Sequence, residues 1–295
     1  MSLTQPLAGR LSASGLDPIA VEDLVRAALA EDLAGGQDVT SVATVPAPQR
    51  STGDFVARAD GVVAGLAVAQ AVLEVVSDAS AQFEACVQDG ARVRRGDVLA
   101  SVAGRTRDLL TGERTALNLL CHLSGVATLT RAWVDAVAGT GAAVRDTRKT
   151  TPGLRALEKY AVRCGGGLNH RMSLSDAALV KDNHVVAAGG VAAAFTAVRS
   201  TWPGLPVQVE VDTLEELDEA LAAGADLVLL DNMDPQLLRA AVARTAGRAR
   251  LEASGALTLD NAHEVAATGV DYLAVGALTH SAPVLDIALD LREHR

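Results

Sequence analysis

The stretch PVQVEVDTLEELDEALAAGADLVLLDNMDP, residues 206–235, decides the fold. PVQVE (206–210) is a short apolar run, and DLVLLD (226–231) is a second. Both are of strand length and rich in Val and Leu. Between them, Thr213 stands three residues before Glu216, the pattern of a helix-starting capping box. Asp234 followed by Pro235 pairs a cap with a proline and starts another helix. Strand, helix, strand, helix in so few residues means parallel strands joined by crossover helices.

The rhythm extends both ways. Strands are expected at 142–145, 177–181, 206–210, 226–231, 250–253 and 271–276. Six such units point to a barrel-like α/β fold. Upstream, 105–138 is expected as one long helix. On it Leu110, Leu117, Cys121 and Ser124 share a face, while Arg114 and Asn118 lie on a more polar one. Thr151 and Pro152 are expected to start the helix that Gly165–Gly167 stops. Before residue 104 the chain reads as α+β. A helix spans 19–33, and strands follow in GDFVARADGVVAG, AQFEACVQDGARV and GDVLASVAG.

Composition excludes several classes. The 26 Lys+Arg against 36 Asp+Glu give a net charge of −10, and aromatics are only 2%. Neither suits a nucleic-acid surface. No apolar run approaches the roughly 20 residues of a membrane span, and MSLTQPLAGR lacks the layout of a secretory signal. Three cysteines, Cys86, Cys121 and Cys164, have neither disulfide nor zinc spacing. A cytoplasmic protein is expected.

Charge gathers at the strand ends. These are Arg145 with Asp146, Lys181 with Asp182, Glu210 with Asp212, Asp231 with Asn232, and Glu252 with Ser254. In a parallel barrel those ends meet at one rim, where active sites are built. From Arg145 through His184 eight Lys/Arg face four Asp/Glu, a net +4 inside an acidic chain. A basic arc opposite an acidic arc suits a polyanion handled with a divalent cation or sugar hydroxyls. No Rossmann or P-loop glycine pattern is present in a usable context. Ser254-Gly255-Ala256, between a strand and a helix, can meet a phosphate through backbone N–H groups, and Gly276 fits the same pattern at the next strand. Single residues have plainer expectations. Cys164 is a core thiol, His184 orders the loop after Lys181, and Arg155, Lys159 and Arg163 form a solvated face. Lys181 remains open to a Schiff-base role, and Glu252 is either a third rim acid or the partner of a rim cation.

RDTRKTTPGLRALEKYAVRCGGGLNHRMSLSDAALVKDNH (145–184) closely resembles the quinolinate phosphoribosyltransferase (decarboxylating), or nicotinate-nucleotide pyrophosphorylase, family. TGERTALNLLCHLSGVAT upstream, and EVDTLEEL, VLLDNM, LEASGA and DYLAVGALTHS downstream, follow in the family's order, so the resemblance covers roughly 20–290. It implies an irregular, incomplete α/β barrel at 123–283 and a smaller α/β sandwich at 1–122, joined by the segment 284–295. It implies transfer of phosphoribose from phosphoribosyl pyrophosphate to quinolinate with decarboxylation, dependent on Mg2+. It implies a homodimer or a hexamer, with Arg114 contributed across the interface and no nucleic-acid or membrane partner.

The resemblance also assigns residues. Arg148, His170 and Arg171 hold the quinolinate carboxylates, with Thr147 nearby. Lys149 and Lys181 lie between the two substrates. Glu210 and Asp231 face ribose hydroxyls and magnesium, directly or through water. Ser254, Gly255, Ala256, Gly276 and Ala277 form the 5′-phosphate loops, with His280 just beyond. Where the family often has SGG, this chain has Ala256, which is strained if its φ is positive. A nicotinate-using transferase, a lyase and a non-catalytic binding module are the competing readings.

Overall fold

The computed structural model describes residues 3–292. In chain order the first elements are α1 (Gln5–Ala13), α2 (Pro18–Leu33), α3 (Val39–Thr44), β1 (Arg50–Ala57), β2 (Gly61–Val62) and α4 (Leu66–Ser77). Then come β3 (Gln82–Ala85), β4 (Arg92–Val93), β5 (Val98–Arg105), α5 (Thr106–Ala136), β6 (Ala143–Arg145), α6 (Arg155–Cys164), β7 (Ala178–Val180) and α7 (Asp182–Ala188). The rest are α8 (Val191–Thr201), β8 (Val207–Val211), α9 (Leu214–Ala222), β9 (Leu227–Asp231), α10 (Pro235–Thr245), β10 (Arg250–Ser254), α11 (Leu259–Ala266), β11 (Tyr272–Ala274), α12 (Ala277–His280) and β12 (Ile287–Leu291).

Packing groups these into two units. The first takes the chain to Leu129, then Thr151–Gly166, then the segment from Ser281. The second takes Thr130–Thr150 and Gly167–His280. The expected division at 122/123 followed chain order, whereas packing also gathers α6 into the first unit.

The first unit is an α/β sandwich. Its sheet runs β12-β1-β5-β3, all antiparallel, with helices supplying the apolar layer. β1 alternates exposed and buried residues and sends Phe55 inward, as a strand with one covered face should. α4 buries Val68, Ala69, Val72 and Leu73. Gly125 of α5 is needed for a close approach, because a Cβ there would meet the backbone of Pro283 and Val284. Glu158 of α6 is fully buried, accepting hydrogen bonds from the Thr151 N–H (3.0 Å) and pairing with His122 Nε2 (2.9 Å).

Two expectations about α6 are corrected. The helix starts at Arg155, not after Thr151, and Leu154 caps it without a side-chain bond. Gly153 at φ +82° makes a turn there, with the Leu154 N–H donating to the Thr151 carbonyl. The basic face is not solvated throughout. Lys159 is fully buried, and Arg163 donates to the Ser14 carbonyl at 2.7 Å.

The second unit has six parallel strands in the order β6-β11-β10-β9-β8-β7, with β6 and β7 as the edges, so the barrel is incomplete. Two of the caps expected from the sequence are present: Thr213 and Glu216 form a capping box, and Asp234 accepts from the Leu237 N–H. Thr258 with Asn261 opens α11 with a further box. Among the described residues, no helix is long and apolar enough to cross a membrane.

Candidate active site

Side chains alternate across a strand, so residues two apart share a face. On β8, Gln208 and Glu210 share one face; on β9, Leu229 and Asp231; on β10, Glu252 and Ser254. The upper members stand at the C-terminal strand ends, and the lower members form a floor. A cavity of about 370 Å³ opens there, within the second unit. It is lined by Thr147, Arg148, Lys149, His170, Arg171, Lys181, Glu210, Asp231 and Ser254, with Leu179, Leu229, Glu252 and Ala274 beneath.

Nine residues expected at the site therefore line one cavity. Gly255, Ala256, Gly276, Ala277 and His280 lie outside the lining, in the loops after β10 and β11. Gly276 packs beside Lys149, Thr147 and His280, each of which a Cβ would meet. Gly255, at φ +87°, leaves no room for a Cβ against the Asn232 side chain. Ala256 does take φ +50°, a left-handed conformation costing about 1 kcal/mol for a non-glycine residue. Arg114 belongs to the first unit and is exposed on α5.

The basic arc crowds like charges. Arg171 is held partly by its Nη1 donating to the Ala177 carbonyl at 2.9 Å. Burial, and then the adjacent Arg148 charge, pulls its guanidinium below the usual arginine range. The Arg148 Nε is buried and finds no hydrogen-bond partner among the described residues. Such donors call for an acceptor that arrives with a ligand. Lys149 is exposed at the cavity edge.

The acidic arc does the same with opposite sign. Burial, then Glu216, Asp231 and Asp182, pushes the Asp212 carboxyl above the usual carboxylate range. Lys181 bridges the arcs, its Nζ 3.0 Å from Glu210 Oε2. His184 does what the sequence suggested, accepting the Lys181 N–H on Nδ1 at 3.0 Å.

Of the two roles open to Glu252, the structure shows the pairing with a cation, at a floor position: it is fully buried, with Ser254 taking the strand end above it. Arg145 Nη1 lies 2.6 Å from its Oε2, and the Arg145 guanidinium sits 4.7 Å from the Tyr272 ring centroid. Gln208 was missed by the sequence reading. Its signal was present, since it has the parity of Glu210 within PVQVE. Cys164 is a poor nucleophile, as burial and then the Asp89 charge push its thiol up to about 11.

An open parallel barrel with a two-signed rim, in a chain that also carries an antiparallel sandwich, defines an anion-handling α/β enzyme. The family models "Quinolinate phosphoribosyl transferase, N-terminal domain" and "C-terminal domain" match residues 38–124 and 126–290. The nicotinate-nucleotide pyrophosphorylase [carboxylating] of Mycobacterium leprae is 56% identical over 92% of this chain and 97% of its own. Quinolinate phosphoribosyltransferase [decarboxylating] 1b of Nicotiana tabacum is 39% identical, over 92% and 82%. The crystal structure of NadC from Streptococcus pyogenes superposes with a TM-score of 0.89 at 41% identity, over 94% of this chain and 99% of that one. The chain belongs to the quinolinate phosphoribosyltransferase family.

Proposed function

We infer that the cavity of the second unit is where this quinolinate phosphoribosyltransferase (decarboxylating) binds and joins its substrates. The enzyme transfers phosphoribose to quinolinate with loss of carbon dioxide, forming nicotinate mononucleotide in NAD biosynthesis. The carrying observation is the Arg148–Arg171 pair, two cations crowded together at the cavity, with the Arg148 Nε buried and unpartnered among the described residues. Quinolinate brings two adjacent carboxylates, and guanidinium forks match carboxylates in plane.

Held there, the ring nitrogen faces the ribose anomeric carbon, and positioning is the main catalytic contribution. The C1′–oxygen bond breaks and pyrophosphate leaves toward Lys149 and Lys181. The ribose gains oxocarbenium character, which the Glu210 and Asp231 carboxylates offset. The nitrogen lone pair then forms the new C–N bond. The resulting pyridinium accepts the electron pair left when the adjacent carboxylate departs as carbon dioxide, and a proton replaces it on the ring.

Magnesium fits this donor set in one way. Among the described residues, no three His, Cys, Asp or Glu side chains gather closely enough to hold a metal. Glu210 and Asp231 alone suit Mg2+ that keeps waters and substrate phosphate oxygens as its other ligands. Bound so, the ion would neutralise charge on the departing pyrophosphate. The loops at Ser254–Ala256 and Gly276–Ala277, with His280 beside them, are assigned to the 5′-phosphate. Support comes from their positions after adjacent barrel strands, β10 and β11.

The test is one assay with phosphoribosyl pyrophosphate, magnesium and either quinolinate or nicotinate. Turnover of quinolinate with one carbon dioxide per nucleotide is expected, and nicotinate alone as substrate would overturn the reading. A Schiff base at Lys181 is disfavoured by its ion pair with Glu210.

Arg114 is assigned to the neighbouring subunit's site in a homodimer, which its exposure on α5 supports. At a quinolinate concentration near the native KM, where neither variant alone turns over appreciably, Arg114→Ala chains mixed with Arg148→Ala chains should then regain activity, because one site of the mixed dimer receives both native arginines. No regain on mixing, with subunit exchange verified by mass spectrometry, would return Arg114 to its own chain.

A further inference from the structure

Below the rim lies a second polar layer that the reaction itself does not call for. Gln208 and Glu252 are 2% and 0% exposed, each one inward-facing position beneath a rim residue. The His170 ring stands against both. Its Nε2 lies 2.6 Å from the Gln208 Oε1 and 3.4 Å from the Glu252 Oε1. Its Nδ1 lies 2.7 Å from the backbone nitrogen of Arg171.

These contacts fix the ring's proton. A backbone N–H only donates, so Nδ1 accepts and carries no proton. The one remaining ring proton is on Nε2 and is donated to the Gln208 amide oxygen. Turning the Gln208 amide over would present NH2 to Nε2 and make both ring nitrogens acceptors, which a neutral imidazole cannot be. A doubly protonated ring would set Nδ1–H against the Arg171 N–H. One tautomer satisfies both ring nitrogens, and it uses both inside the protein.

We propose that His170 is a positioning residue rather than a carboxylate ligand: Gln208 accepts its Nε2–H beside the Glu252 carboxylate, and its Nδ1 fastens the Arg171 backbone whose guanidinium meets the substrate. The surrounding bonds serve the same end. The buried Asp146 accepts the His170 N–H at 2.8 Å and the Asn169 amide at 2.6 Å. The far end of Arg171 is tied to the Ala177 carbonyl. Two successive backbone nitrogens and the guanidinium are thus fixed before any ligand arrives, which is how a binding group is held to the tolerance catalysis needs. The assignment rests on reading the cavity as the quinolinate site.

Two substitutions separate the roles. An Asn side chain places its amide near the Nδ1 position, and the longer Gln places its amide near Nε2. If Nδ1 anchors Arg171, His170→Asn keeps the quinolinate KM within about fivefold of native while His170→Gln raises it about fiftyfold. The KM for phosphoribosyl pyrophosphate moves less than about threefold in both. Equal losses, or rescue by Gln instead of Asn, overturn the proposal. Nitrogen NMR of the histidine-labelled enzyme, with His170 assigned by its loss in His170→Asn, reads the tautomer directly. A neutral ring protonated on Nε2 is expected, unchanged by saturating quinolinate, and a doubly protonated ring in either state overturns the proposal. The free-enzyme spectrum needs no turnover, so it decides the tautomer even if quinolinate proves not to be the substrate.

Discussion

Arg148→Ala raises the quinolinate KM by roughly a hundredfold to a thousandfold and leaves the phosphoribosyl pyrophosphate KM within about threefold. The size follows from the bonds at stake. Hydrogen bonds to charged groups are worth about 1.5–3 kcal/mol each, and a guanidinium gives a carboxylate two in parallel. Arg148 is prepared for this, since its Nε is buried with no partner among the described residues. The selectivity follows from place. Arg148 faces the cavity beside Arg171, while the acids assigned to ribose stand on β8 and at the end of β9. Removing Arg148 relieves the charge repulsion on Arg171, yet one guanidinium is left to hold two carboxylates. Arg148→Lys does not rescue, because a point charge cannot reproduce a planar fork. Equal KM increases for both substrates would make Arg148 part of a general anion field and sink its assignment to quinolinate.

The barrel was legible because its strands are short, apolar and separated by capped helices. Each of the six expected strands is present within one or two residues of its place. The capping pairs Thr213–Glu216 and Asp234–Pro235 mark helix starts because their side chains satisfy N–H groups that nothing else reaches. Thr151–Pro152 carries the same local signature and fails. Glu158, from within α6, takes the Thr151 N–H, and a left-handed Gly153 turns the chain before the helix begins. Local chemistry could not show that competition. α4 was also illegible, since LAVAQAVLEVVS is apolar on nearly every side and has no period to read. Lys159 was placed on a solvated face because charge is the only local signal, and its burial is a tertiary fact. The rim was legible as charge at strand ends. The floor was not, because Glu252 and Gln208 share the strand parity of the rim residues two positions on, and which of the two stands at the rim depends on where the strand ends in the fold.

That floor carries the largest expected effect on stability: Glu252→Ala lowers the unfolding free energy by about 3–5 kcal/mol. The carboxylate is fully buried and its Oε2 is 2.6 Å from Arg145, whose side chain is only 15% exposed. Deleting it leaves a cation facing a cavity inside the barrel, and the loss comes mainly from that uncompensated charge. The control is therefore the pair Arg145→Met with Glu252→Leu. Removing both charges should recover most of the loss, as apolar replacements of buried ion pairs commonly do. The same pair sets a pH dependence. Burial pushes the Glu252 carboxyl up, but the nearby His170 ring and the Arg145 charge outweigh it and hold the group below the usual carboxylate range. A lowered folded-state pKa means stability that is fully present above the unfolded value and lost as pH falls through the folded one. The native enzyme should therefore lose stability on acidification below about pH 4.5 more steeply than Glu252→Gln does. Denaturant unfolding across that range measures both effects. A Glu252→Ala loss under about 1 kcal/mol, or parallel acid limbs for native and Gln forms, would show that water enters the floor and screens the pair.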